Sequence, residues 1–277
     1  RSLDRLMSSP VDTAELLTLG VRLAVEAGTM AAQGRRERGV TSATTKSTVT
    51  DMVTEFDRAC EELIVSGLQA ARPHDGIVGE EGTDQKGTSG IDWLVDPIDG
   101  TTNFLYGLPG WAVSIAARGA EGTLVGVVYV PATDELFTAR AGEGAQLNGQ
   151  PIRCSSTTEL AVTLVATGFA YSTELRRGQA ARAGALLPHV RDIRRLGAAS
   201  TDLCHVAAGR VDAYYEEWLG PWDIAAGALI AREAGCHVGS LAGGHPPPLS
   251  LLVAGPGVFT PLRELIADID AQLLPRA

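Results

Sequence analysis

The stretch "DWLVDPIDGTTNF", residues 92–104, closes an apolar run with two carboxylates, Asp96 and Asp99, and follows them with Gly100, Thr101 and Thr102. Pro97 has no backbone N–H and cannot continue a strand ladder. Asp96 is therefore expected at the end of a strand and Asp99 in the turn after it, with both side chains facing one cavity. Gly100 permits a tight turn, and Thr101 and Thr102 resemble N-cap residues beside N–H groups that welcome an anion. Carboxylates and an anionic ligand group at one spot repel unless cations lie between them. The chemistry implied is a set of hard divalent metals that in turn hold a phosphate, and oxygen ligands favour Mg²⁺. The histidines (His74, His189, His205, His237 and His245) are scattered and show no zinc spacing.

Two further acidic positions could complete the set: Glu80 with Glu81 in "VGEEG", and Asp223 in "PWDIAAGALIA". Each feature has an ordinary explanation when taken singly. Asp99-Gly100 is a hairpin signal, Glu80-Glu81 a solvated loop, Asp223 a helix N-cap, and Lys46, Asp51 and Asp57 surface charges. Their joint occurrence in this order separates them from a chance collection of surface acids.

Elements must bring these residues together. Residues 12 to about 36 carry apolar residues at helical spacing, with Asp12 or Thr13 as N-cap. A second helix is expected from about Val53, ending before Pro73. "GIVGEEG" and "DWLVDP" read as strands that stop at turn signals. Further strands follow up to residue 152, with Asn148-Gly149 as a type I′ hairpin turn. Beyond about residue 155 strands ("LAVTLVATGF", "DIRRLG", "VDAYYEE", "LSLLVAG") alternate with helices near 174–188, 199–209, 223–234 and 261–274. "GGHPPP" reads as a loop. The expected architecture is layered α/β, an α+β sandwich, with an N-terminal half (1–154) carrying most of the acids and a C-terminal half (155–277) completing one compact unit.

The bulk numbers bound the function. A chain of 277 residues, 45% hydrophobic, buries a full core. A formal charge of -10 disfavours any role that depends on neutralising nucleic-acid phosphates. Four dispersed cysteines form no CxxC, so neither a zinc site nor a disulfide framework is expected. No apolar stretch approaches the roughly 18 residues of a membrane span, and no secretory signal is visible. A cytoplasmic location is the expectation.

"WLVDPIDGTTNF", with "GEEG" before it and "PWDIAAGALIAREAG" after it, resembles the inositol monophosphatase family of magnesium-dependent, lithium-sensitive phosphatases. The resemblance extends from "KSTVTDMVTEFD" through "DIRRLGAASTDLCHVAAGRVDAYYE" and is closest to the bacterial inositol-1-monophosphatases. It implies the sugar-phosphatase fold of alternating helix and sheet layers, and a homodimer. It further implies that Glu80, Asp96 and the carbonyl of Ile98 hold one Mg²⁺, that Asp96, Asp99 and Asp223 hold a second, and that a third, weaker site lies near Glu80. The implied catalytic set is Asp57, Thr101 and Glu80, with Asp57 and Thr101 orienting and activating the attacking water. Gly100 and Thr101 N–H groups would grip the phosphate, Glu216 and Asp223 would receive inositol hydroxyls, and Arg194 with the Gly197-Ala198-Ala199 turn would border the substrate. The chain departs from the family pattern at Ala198, where a hydroxyl residue is common, and in "AGCHVGSLAGGHPPP", which lacks an acidic residue present in many relatives.

This reading matches the energetic demand. Phosphate monoester hydrolysis needs acceleration up to about 10²¹, and one general base contributes only about 10² to 10⁴, which leaves most of the work to metals. No Walker loop or nucleophile elbow competes, and "GEGAQLNG" lacks the third glycine of a dinucleotide fingerprint. The expected substrate is inositol 1-phosphate. The alternatives are fructose 1,6-bisphosphate, histidinol phosphate and adenosine 3′,5′-bisphosphate; a second phosphate calls for basic residues that Arg176, Arg177 and Arg191 cannot be assigned to provide. The rival class is a binding or regulatory protein that keeps the fold without turnover.

Overall fold

The computed structural model describes residues 11–46, 51–241 and 250–273. In chain order the elements are α1 (Thr13–Arg38), β1 (Ala43–Thr45), β2 (Met52–Thr54), α2 (Glu55–Ala71), β3 (Gly76–Gly79), β4 (Asp84–Gln85), β5 (Asp92–Asp99), α3 (Thr101–Tyr106), β6 (Ala112–Gly119), β7 (Gly122–Val130), β8 (Glu135–Arg140), β9 (Ala145–Leu147) and β10 (Gln150–Pro151). The second half continues with β11 (Leu164–Thr167), α4 (Thr173–Leu186), β12 (Asp192–Arg194), α5 (Ala199–Ala207), β13 (Ala213–Glu216), α6 (Pro221–Glu233), β14 (His237–Gly239), β15 (Leu251–Ala254) and α7 (Pro256–Leu273). The "GGHPPP" segment lies outside the described residues.

Strands β10-β9-β8-β7-β6-β5-β3-β4 form an eight-stranded sheet in that order, antiparallel except where β3 lies parallel to β5. Strands β12-β11-β13-β15-β14 form a five-stranded mixed sheet. Side-chain alternation along each strand sorts the core into three clusters. Trp93, Val95, Val113, Ile115, Val125 and Val127 face Leu16, Leu23, Phe56, Ile64 and Leu68 of α1 and α2. Leu94, Ala116 and Val128 point the opposite way, onto Leu203 and Ile230 of α5 and α6, which also meet Tyr214 and Val253 of the smaller sheet. The far face of that sheet, with Val165, Tyr215 and Leu252, packs on Leu186 of α4 and on Val258, Leu262 and Ile266 of α7. The result is the expected layered architecture: helices, sheet, helices, sheet, helices.

Several local signals act as read. Asp12 caps α1, accepting from the N–H groups of Ala14 and Glu15. Asn148 and Gly149 both have positive φ, at 49° and 78°, as a type I′ turn requires. Three boundaries differ. Val53 belongs to β2 and pairs with Thr44, so α2 starts two residues later, capped by Thr54. Helix α7 starts at Pro256, so Pro261 sits inside it. Strand β5 also continues past Pro97 to Asp99, because a bulge absorbs the proline. Asp96 pairs with Ser114 and Asp99 with Ala112, three residues on β5 spanning two on β6.

Candidate active site

That bulge decides where the two acids point. On a regular strand, residues three apart face opposite sides; one extra residue resets the alternation, and both Asp96 and Asp99 line one cavity. The cavity has a volume of about 310 Å³, and its wall also includes Glu80, Ile98, Gly100, Thr101, Gly197, Ala198, Ala199, Glu216 and Asp223. Glu80 follows β3, held beside β5 by its N–H donating to Val95 O at 3.1 Å. Asp223 stands in the first turn of α6 and accepts from Gly220 N at 2.6 Å.

Asp57 lies behind this wall, fully buried. It is the third residue of α2, and its Oδ2 accepts from Thr54 N at 2.8 Å and Thr54 Oγ1 at 2.5 Å in a capping box. Its Oδ1 accepts from Thr101 Oγ1 at 3.0 Å, and the same hydroxyl lies 3.2 Å from Ile98 O. Gly100 has φ +88°, and a Cβ there would press on Ala198 Cβ and on the carbonyls of Gly110 and Gly197, so the turn into α3 admits little but glycine.

The second half of the chain closes the site. Asp99 Oδ2 accepts from Ser200 N at 2.6 Å and Ser200 Oγ at 2.5 Å, and Oδ1 from Ala199 N at 3.3 Å. Ala198, at the α5 N-cap, has no hydroxyl to offer; Asp99 satisfies those N–H groups from across the cavity. Asn103 ties down the preceding turn through Nδ2, donating to Leu196 O at 2.7 Å. Glu216 accepts from Tyr214 OH at 2.6 Å.

Burial dominates the electrostatics. It pushes Asp96 well above the ordinary carboxyl range, helped by the charges of Glu80, Asp99 and Asp223. Asp223 rises for the same reasons, burial first, then Asp99 and Glu80. Asp99 is pushed up to about 6 by burial, against the opposing Ser200 hydrogen bonds. Glu216 rises to about 7 by burial, opposed by Tyr214 and Arg195. Asp57 is also raised by burial despite Thr54 and Thr101. Lys46 bonds Glu80 at 2.8 Å and Glu81 at 2.6 Å; burial would lower its pKa, but the two glutamates overcome that and raise it.

Among the described residues, no three His, Cys, Asp or Glu side chains already stand as a metal-holding group. Their oxygens are engaged locally: Glu80 by Lys46, Asp99 by Ser200, Asp223 by Gly220 and Asp96 by Ile98 N. The donor chemistry nonetheless fits a hard cation. Carboxylates and one backbone carbonyl supply oxygens, no thiol or imidazole lines the cavity, and mutual repulsion among buried acids is what a divalent ion relieves.

One sequence assignment is corrected. Arg194 is exposed and turned away, donating to Asp192 Oδ2 at 2.5 Å and to its neighbour Ile193 O, and it does not line the cavity; Arg195 does. The two differ only in which way each points beyond β12, for which the sequence carries no signal. Ser200 was also missed, although a hydroxyl residue at a helix start is a recognisable donor. Thr54 was missed despite standing three residues before Asp57 in a capping-box pattern.

Residues 12–271 match the family model described as the inositol monophosphatase family. The chain belongs to that family. The relative named Nus factor SuhB of Pasteurella multocida is 46% identical over 232 residues, covering 83% of this chain and 86% of its own. Inositol-1-monophosphatase SuhB of Mycobacterium tuberculosis is 44% identical, covering 81% and 80%. Among solved structures, the extragenic suppressor protein suhB of Bartonella henselae superposes with a TM-score of 0.85 at 34% identity, over 91% of this chain and 98% of its own. This inositol monophosphatase family chain thus shares the fold of its solved relatives, and among its described residues no helix is long and apolar enough to cross a membrane.

Proposed function

We propose that this chain is a Mg²⁺-dependent phosphomonoesterase that hydrolyses inositol 1-phosphate to inositol and phosphate, acting in the cytoplasm as a homodimer. The observation that carries the reading is the hydrogen-bond chain from Thr54 through Asp57 to Thr101 and Ile98, which opens on the acid-lined cavity.

In this reading Glu80, Asp96 and Ile98 O would hold one ion, and Asp96, Asp99 and Asp223 a second, with a weaker third site near Glu80. Bound Mg²⁺ would supply charge neutralisation for the phosphate and the leaving oxygen and lower the pKa of a water. Gly100 and Thr101 N–H groups bind the phosphate. Thr101 Oγ1 takes a proton from the attacking water and passes its own to Asp57 Oδ1; the new P–O bond forms as the ester P–O bond breaks, and the departing alkoxide takes a proton from solvent to give the free alcohol. Burial raises the Asp57 pKa and makes that carboxylate a better proton acceptor. Glu216 and Asp223 receive the hydroxyls of the leaving alcohol, and Gly197, Ala198 and Ala199 border it.

Phosphate release from inositol 1-phosphate, fructose 1,6-bisphosphate, histidinol phosphate and adenosine 3′,5′-bisphosphate, with and without Mg²⁺ and with added Li⁺, tests the reading. Fastest Mg²⁺-dependent, Li⁺-suppressed turnover of the inositol ester is expected. Another preferred ester would replace the substrate and keep the chemistry. Silence across the panel would favour the rival class, a binding or regulatory protein that keeps the fold without turnover.

A further inference from the structure

The link between β13 and α6 holds a bulky side chain in a conformation that suits glycine. The link is fixed along its length: Glu216 closes the β13 ladder opposite Leu251, Glu217 is held by Arg182 at 2.6 Å, and Gly220 donates its N–H to Asp223 at the start of α6. Trp218 stands within it at φ +67°. The other described non-glycine residues with positive φ are Asp134 and Asn148, types that tolerate the left-handed region in turns. An indole gains nothing there from the backbone and bears a cost that a glycine would not.

Trp218 also keeps its ring out of the core. It is 48% exposed, and among the described residues its indole makes no hydrogen bond and no ring contact. It lines the active-site cavity together with Phe169, Tyr171, Leu175 and Leu219, and Tyr171 is likewise exposed. The cavity wall therefore joins two chemistries: carboxylates suited to ions, and aromatic and aliphatic side chains that no step of the proposed reaction uses. Only Glu217 stands between Trp218 and Glu216, which accepts the hydroxyls of the alcohol in the reading above. Cα atoms two residues apart lie at most about 7 Å from one another, so an alcohol held by Glu216 is within the span of the indole.

We infer that Trp218 is a specificity-determining residue whose indole covers the apolar face of a ring in the alcohol part of the substrate, and so selects esters of cyclic alcohols over open-chain ones. The inference rests on the phosphatase reading above and deepens it by substrate class. A polyol ring with mostly equatorial hydroxyls turns its C–H bonds toward its two faces and its hydroxyls outward. One such ring can meet the Glu216 carboxylate at its edge and an aromatic surface on its face. An open chain of the same composition has no such face, and binding must also order it. Trp218 does not touch the reacting bond, so its contribution belongs in KM.

The test compares inositol 1-phosphate with sorbitol 6-phosphate, which carries the same numbers of carbons and free hydroxyls on an open chain, in saturating Mg²⁺, for the wild type, Trp218→Gly, Trp218→Ala and Trp218→Phe. The readout is the ratio of kcat/KM for the cyclic ester to that for the open-chain ester. Loss of one aromatic contact predicts a fall of about threefold to tenfold in that ratio for Trp218→Gly and Trp218→Ala, expressed in KM, with most of the ratio kept in Trp218→Phe. The first two variants separate the ring from the backbone. Glycine relieves the left-handed conformation and alanine does not, so Trp218→Gly should unfold at a higher urea concentration than Trp218→Ala while their ratios agree. A wild-type ratio in Trp218→Gly overturns the inference, as does a fall confined to Trp218→Ala, a fall in Trp218→Phe as large as in Trp218→Ala, or an equal loss of kcat on both esters; each of these leaves the phosphatase reading standing. No Mg²⁺-dependent release from any ester removes both.

Discussion

Removing divalent cation should make the stability of this protein fall as pH rises through the near-neutral range. Asp99 sits at about 6 and Glu216 at about 7 in the folded chain, against ordinary values of 3.8 and 4.5. Between those limits the folded state holds protons that the unfolded chain has released. Stability contributed by the protonated groups is therefore fully present below about pH 4 and lost as pH rises through 6 and 7. At about 1.4 kcal/mol per pKa unit, the two groups together remove roughly 6–7 kcal/mol, a large part of the roughly 5–15 kcal/mol that a domain typically has. Asp96 and Asp223 shift the same way.

Groups of opposite sign do not cancel this. Asp75, Glu55 and Glu135 have lowered pKa values, so their contribution is complete above the ordinary carboxyl range and flat from pH 5 upward. His205 is lowered by burial and by Arg210; it adds stability as pH rises to about 6.5, but as one half-buried imidazole against four carboxyls. The assay is urea unfolding, followed by fluorescence of the buried Trp93, on chelator-stripped protein at pH 5 to 8 with and without Mg²⁺. The unfolding midpoint should drop steadily with pH in the stripped protein, and Mg²⁺ should restore more of it at pH 8 than at pH 5, because metal binding releases protons. A stripped protein whose midpoint is flat or rises between pH 5 and 7.5 would refute the argument that these acids are assembled against their own repulsion.

Asp99→Asn should reduce Mg²⁺-dependent phosphate release by about 10³-fold or more while leaving the metal-free melting temperature unchanged or higher, since it deletes a buried charge and loses only the 3.3 Å contact to Ala199. Thr101→Val leaves the fully buried Asp57 Oδ1 without its donor; a loss of about 1–3 kcal/mol in urea unfolding and a fall in kcat of about 10² to 10⁴ are expected, and wild-type kcat would remove Thr101 from the mechanism. Gly168→Ala drives a Cβ into the Glu216 carboxylate, so KM for inositol 1-phosphate should rise about tenfold with kcat changed far less; equal loss in both would mean that Glu216 acts in the chemical step.

The parts of this fold that could be read from sequence are those whose cause is local. Asp12 needs only its own helix, and Asn148-Gly149 only its own turn. Pro97 was misread because its local meaning is a strand end, whereas the ladder to β6 carries β5 through it and turns the defect into a bulge. The acids were legible as a motif, but their geometry was not. The contact of Asp99 with Ser200 joins residues 101 apart, and no pattern near either one announces it. The confusion of Arg194 with Arg195 has the same origin: adjacent arginines are equivalent in sequence, and only the end of β12 decides which one faces in.

Three of the acids in and behind this cavity also hold helices at their beginnings. Asp57 closes the capping box of α2, Asp223 takes the N–H of Gly220 at the start of α6, and Asp99 satisfies the first N–H groups of α5. Each negative charge therefore meets the positive end of a helix dipole. A descendant of this chain that abandoned hydrolysis would still leave buried N–H groups without an acceptor if it lost the side-chain oxygen at these positions, so the persistence of an acid or amide there in a relative is poor testimony to turnover. Asp96 caps no helix, and burial and the charges of Glu80, Asp99 and Asp223 all oppose its ionisation; it is the position at which loss of catalysis would first become visible.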